Sequence, residues 1–201
     1  MGYAAPCRFR HAVDPAWTAA IPRDGGGGGP RRLTTPASYT FVDNASGLRP
    51  LLDDVESADD VALDTEADSL HHYQEKICLI QLSVDGRHWI VDPLAGLDLT
   101  PLLALLEGRE LLIHGCDYDL RLLFRSYQMR PSRVFDTMLA AQLLGREQIG
   151  LAALVETACG VALSKHGQRA DWSRRPLTEN LLDYAKDDTR YLHPLAAALR
   201  A

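Results

Sequence analysis

The sequence predicts an α/β domain: a mixed β-sheet flanked by helices. Three observations predict it. Apolar residues recur with period two in several short segments and with helical period in others. These segments run strand, helix, three strands, helix, strand, then helices. Strands joined by short turns should be antiparallel, while strands separated by helices can be parallel, so the sheet is mixed and covered by helices. A chain of 201 residues, 46% of them hydrophobic, is enough for one domain with a sizeable core.

The elements follow in order. Residues 1–37 contain PRDGGGGGPRR and no apolar period, and read as a disordered Gly/Pro-rich tail. Order is expected from Ser38, over residues 38–201. YTFVD (39–43) reads as a strand. Leu48, Leu51, Leu52 and Val55 have helical spacing within 47–57. DVALDTE (60–66) is a short strand that places Ala62, Asp64 and Glu66 on one face. KICLIQLSV (76–84) is a strand, Asp85-Gly86 a tight turn, and HWIVD (88–92) the returning strand. Thr100 is placed to cap a helix carrying LLALL (102–106), with Pro101 at its first position. ELLIHG (110–115) is a buried strand and DLRLLFRSYQ (119–128) a helix. Helices dominate the rest. Asp136 caps 137–144, which ends at Gly145, and 151–160 is a second helix. Thr178 caps a long last helix, with Leu177 and Leu182 placed as a hydrophobic staple and Pro194 bending its tail.

Charge and cysteine usage narrow the function classes. A formal net charge of −6 excludes binding of a polyanion through bulk charge, so such a partner needs a local site. Cys7, Cys78, Cys116 and Cys159 form no C-x-x-C pair, which argues against zinc and a disulfide framework and fits a reducing cytoplasm. No apolar run reaches transmembrane length. Pro6 breaks the myristoylation pattern, and the first residues hold no secretory apolar segment.

Three acidic segments stand near predicted element ends. Asp64 and Glu66 end a core strand, and Asp119 follows the strand LLIHG at a helix start. Tyr184 and Asp188, four residues apart, share a helix face. Singly, each also fits a blander role: a solvated strand end, a helix cap, a surface helix. Taken together, LDTEADSL, LLIHGCDYDL and LLDYAKDD resemble the three exonuclease motifs of the DEDD superfamily, in the subclass with a tyrosine in the third motif. KICLIQLS and ADWSRRPLTENLLDYAKDD are also similar to ribonuclease D. The resemblance spans about residues 39–201.

It implies an RNase H-like fold and 3′–5′ exonuclease hydrolysis of nucleic acid with two divalent metal ions. It further implies that Asp64, Glu66, Asp119 and Asp188 bind the metal and that Tyr184 orients the attacking water. The motif spacing selects Asp119 over Asp117 and Asp188 over Asp187. Elementary chemistry agrees, because four carboxylates in one cleft raise one another's pKa. Hard cations such as Mg²⁺ or Mn²⁺ remove that penalty and prefer oxygen donors.

Candidate substrate-binding residues are Thr65, Leu70, His71, His114, Lys165 and Gln168. Leu70 is placed to wedge a terminal base or to fill the core. His71, His72 and Tyr73 suit stacking, phosphate contact or a solvated loop, and His114 suits sugar contact or filling. SKHGQRADWSRR (164–175) carries Lys165, Arg169, Arg174, Arg175 and Gln168, a loop suited to phosphates, although its arginines could form ion pairs instead. Trp172 is expected to pack. The expected partner is the 3′ end of a single-stranded nucleic acid, RNA before DNA, without a membrane. A non-catalytic binding module would show a lost carboxylate, and all four are present. Full-length members of the resembled family usually continue into helical HRDC-type domains, whereas this sequence stops at Ala201. That leaves a fragment or a compact exonuclease, similar to short enzymes that trim small oligonucleotides.

Overall fold

The computed structural model describes residues 38–69, 75–164, 167 and 169–201. Six strands form one sheet: β1 (Tyr39–Val42), β2 (Asp60–Ala67), β3 (Ile77–Val84), β4 (Arg87–Val91), β5 (Glu110–Ile113) and β6 (Arg133–Asp136). Their order is β1-β4-β3-β2-β5-β6. The β2–β3–β4 meander is antiparallel, and β1, β5 and β6 join in parallel. The sheet is therefore mixed, as the connection lengths predict. Asp85, with φ +46, and Gly86, with φ +78, make the β3–β4 turn.

Among the described residues, seven α-helices flank the sheet: α1 (Ala45–Ser57), α2 (Thr100–Glu107), α3 (Asp117–Tyr127), α4 (Thr137–Leu143), α5 (Leu151–Cys159), α6 (Glu179–Arg190) and α7 (Leu192–Arg200). A short 3₁₀ turn covers Pro93–Ala95. One cluster joins α1, α2 and α3 to the sheet through Leu51, Val55, Leu102, Leu106, Leu122 and Leu123. On the other face, Ala62 and Leu112 pack with α5 and α7. Leu79, Ile90 and Trp172 pack with Ala185 of α6. No described helix is long and apolar enough to cross a membrane.

Four details differ from expectation. The strand β6 is new: it pairs with β5 from Glu110↔Arg133 to Ile113↔Asp136. Its four residues, RVFD, carry charges at both ends and too short a pattern to register as a strand. Thr100 does not cap α2; it is the first helical residue, and its N–H goes to Asp98 Oδ1 at 3.0 Å. Asn44 caps α1, whose start therefore precedes Gly47. The last helix is two: α6 ends at Arg190 and α7 begins at Leu192. The break sits where the ring of Pro194 would meet the carbonyl four residues back, that of Arg190.

Candidate active site

β2 outruns its neighbour β5. Pairing with β5 covers only Asp60–Ala62, while β3 accompanies β2 from Ala62 to Ala67. The stretch Asp64–Glu66 thus projects beyond β5, and the start of α3 fills the space. There the Thr65 N–H, which no β5 carbonyl meets, donates to Asp119 Oδ1 at 3.1 Å, and the Thr65 hydroxyl donates to the same oxygen at 2.5 Å.

A tight turn aims α3. Gly115 has φ +74, a region that favours glycine, and a Cβ there would lie 3.2 Å from Met138 Cε. Asp136, at the end of β6, accepts from the Gly115 N–H at 2.9 Å and the Cys116 N–H at 3.0 Å. It also caps α4 through Met138 and Leu139. Asp119 then falls in the first turn of α3, where a carboxylate is favoured by the helix dipole.

The third contribution comes from α6, capped by Thr178, which accepts from the Leu181 N–H. Tyr184 and Asp188 share its cleft-facing side, and the Asp188 charge helps to raise the Tyr184 pKa. The Tyr184 ring lies 6.1 Å from Trp172, which is 1% exposed. A Cβ on Gly167 would overlap the Tyr184 ring, so a side chain there could not coexist with the tyrosine's position.

One carboxylate oxygen each from Asp64, Glu66 and Asp188 lie within 4.8 Å of one another. Asp119 stands beside this trio. It is not one of the mutually close set, yet its charge raises the pKa of all three. Burial is the largest cause in each case. It lifts Asp64 well above the ordinary carboxylate range and Glu66 to about 9, with repulsion from Asp188 and then Asp119 adding to each, and it lifts Asp188 to about 7, with repulsion from Asp187 and then Asp119 adding. Burial, then Asp188, pushes the Tyr184 hydroxyl far up, so it is protonated at neutral pH. Buried carboxylates that suppress one another's ionisation are a donor set suited to a hard divalent cation, whose charge removes the penalty. The residues present therefore fit such ions.

The site lines a cleft of about 600 Å³. It holds Asp64, Thr65, Glu66, Asp119, Tyr184 and Asp188 together with His114. The His114 ring is half-buried, its Nδ1 is 2.9 Å from Thr137 Oγ1, and burial lowers its pKa. The rejected acids lie elsewhere: Asp117 is exposed and pairs with Arg121 at 2.7 Å, and Asp187 faces Lys186 and Arg190. Leu70, His71, His72, Tyr73, Lys165 and Gln168 lie outside the described residues, as does the tail over 1–37. Arg174, largely exposed, pairs with Asp171 at 3.0 Å, and Arg175 makes a two-pronged pair with Asp92, both contacts at 2.7 Å.

Sequence reasoning did not single out Tyr118, which also lines the cleft and whose hydroxyl donates to Glu75 at 2.8 Å. Its adjacency to Asp119 was the available signal. The role of Asp136 in setting the α3 turn was hidden behind its reading as a cap.

A mixed six-stranded sheet with a carboxylate cleft at the end of β2 is an RNase H-like α/β fold of the nuclease kind. The chain belongs to the 3′–5′ exonuclease family, whose profile matches residues 39–201. Ribonuclease D of Zymomonas mobilis is 36% identical over 162 residues, 78% of this chain and 42% of that protein. The crystal structure of Escherichia coli RNase D, described as an exoribonuclease involved in structured RNA processing, superposes with a TM-score of 0.75 at 32% identity, covering 81% of this chain and 44% of that one. Brucella melitensis NrnC bound to pGG superposes with a TM-score of 0.68 at 29% identity, covering 81% of each chain. The chain thus spans less than half the length of the ribonuclease D proteins it matches.

Proposed function

We propose that the chain is a metal-dependent hydrolase that removes nucleotides from the 3′ end of single-stranded RNA, releasing nucleoside 5′-monophosphates. The observation that carries this reading is the convergence of Asp64, Glu66 and Asp188, with Asp119 beside them, in one cleft lined by Tyr184. Membership of the 3′–5′ exonuclease family supports the reaction and its direction.

Asp64, Glu66, Asp119 and Asp188 would hold two divalent cations, Mg²⁺ or Mn²⁺. When bound, such ions supply activation of water and neutralise charge on the departing 3′ oxygen. Tyr184 is too weakly acidic to act as a base at neutral pH. Its side chain lines the cleft beside Asp188, and its hydroxyl oxygen can accept a hydrogen from the attacking water, turning a water lone pair toward phosphorus. Thr65 fixes Asp119 through two hydrogen bonds and lends backbone to the cleft wall. In this reading His114 meets the terminal sugar, Leu70 and His71 meet the terminal base, and Lys165 and Gln168 meet phosphate.

A second reading is cleavage of DNA or of very short oligonucleotides, and the short-oligonucleotide branch has a specific support. The structure of NrnC bound to pGG is matched over 81% of both chains. A degradation ladder of 5′-labelled RNA, DNA and dinucleotide substrates, with Mn²⁺ or with EDTA, separates the two. The proposal expects EDTA-sensitive shortening of RNA from the 3′ end, abolished by a blocked 3′ end. Equal cleavage in EDTA would remove it, and dinucleotide cleavage far faster than that of longer RNA would favour the second reading.

A further inference from the structure

β3 is buried along its whole length, yet its middle residue is the amide Gln81. Gln81 is 0% exposed, and among the described residues neither its Nε2 nor its Oε1 has a hydrogen-bond partner. Leaving a buried polar group unpaired costs about 1–3 kcal/mol, which an apolar residue of similar volume would avoid. A buried amide of this kind calls for an explanation.

Its surroundings supply one. The register sets Gln81 directly opposite Asp64 on β2 and opposite Ile90 on β4. Residues opposed in an antiparallel pair have Cβ atoms about 4.5–5.5 Å apart, on the same face. Leu79 and Ser83, two residues either side, share that face. Leu79 packs with Trp172 and Ala185, and Ser83 Oγ lies 2.8 Å from Thr189 Oγ1. The Gln81 side chain is therefore enclosed under α6, the helix that carries Asp188. Of its two register partners, only Asp64 can hydrogen-bond.

We propose that Gln81 is a positioning residue for Asp64: its amide N–H reaches the Asp64 carboxylate through one buried water and holds it aimed into the cleft. A neutral donor suits this place. It favours the ionised carboxylate without adding a positive charge that would compete with a divalent cation. The inference rests on the cation site proposed above, in which Asp64 is a ligand.

The test is isothermal titration with Mn²⁺ alone, on wild type, Gln81→Leu and Gln81→Met, with melting of the metal-free proteins in parallel. Loss of a group that orients a ligand costs about 10- to 100-fold in metal affinity, and that loss is expected in both variants. Their metal-free melting temperatures should stay close to that of wild type, since a side chain of similar volume fills the same buried space. Mn²⁺ affinity within about twofold of wild type in both variants overturns the role of Gln81 and leaves the cation site standing. A wild-type protein that binds no Mn²⁺ overturns the cation site, and Gln81's role with it.

Discussion

Thr65 gives both its backbone N–H and its hydroxyl to a single oxygen of Asp119, although 54 residues separate them. Oδ1 is thereby committed to the protein, and in the proposed cation site Oδ2 is the oxygen that would act as a ligand. Thr65→Val keeps the shape and removes one of the two donors. The expected result is about a 10-fold loss of Mn²⁺ affinity, with recovery in Thr65→Ser. Titration calorimetry on the three proteins checks it.

The carboxylate cluster makes metal-free stability depend on pH. Glu66 and Asp188 are raised by burial to about 9 and about 7, from ordinary values of 4.5 and 3.8. Between the unfolded and folded values the folded state binds more protons, so stability is full at the acid end and declines as pH rises. Melting in EDTA should therefore fall from about pH 5 to about pH 9, and Mg²⁺ should flatten the curve, because the cation does what the proton did. Glu66→Gln should flatten the EDTA curve as well. A melting temperature that rises across this range contradicts the assignment.

In the proposed reaction Tyr184 acts on the attacking water through hydrogen bonding alone. Tyr184→Phe is expected to lower kcat roughly 10- to 100-fold, the scale of a misdirected reactant, with Mn²⁺ affinity unchanged. Single-turnover kinetics and calorimetry on the same preparation separate the two effects.

Arg175 ties the segment bearing Trp172 to the sheet. Its guanidinium donates to both oxygens of Asp92, which is 5% exposed, and to the carbonyls of Trp172 and Cys78. Arg175→Met leaves the Asp92 charge buried without its partner. The expected loss is about 3 kcal/mol of unfolding free energy, measured by urea titration.

Much of this architecture was legible in the sequence because its signals are periodic. Alternation along DVALDTE put Asp64 and Glu66 on one face, and four-residue spacing did the same for Tyr184 and Asp188. What stayed hidden depends on tertiary pairing. The strand β6 is defined by its parallel register with β5, which four residues of sequence do not reveal. The engagement of Thr65 with Asp119 exists because β5 ends early, a fact about strand length. Gln81 reads as a polar interruption of an apolar strand until the register places it opposite Asp64. Thr100 shows how a favourable cap residue can lose to geometry: Asp98 takes its N–H instead.

The central claim is that acids from β2, α3 and α6 form a single cage for a pair of cations. Anomalous diffraction from Mn²⁺-soaked crystals tests it most directly. The account predicts two peaks about 3.5–4 Å apart, bounded by oxygens of Asp64, Glu66, Asp119 and Asp188. Peaks seated away from these four side chains, or none at saturating Mn²⁺, would contradict it.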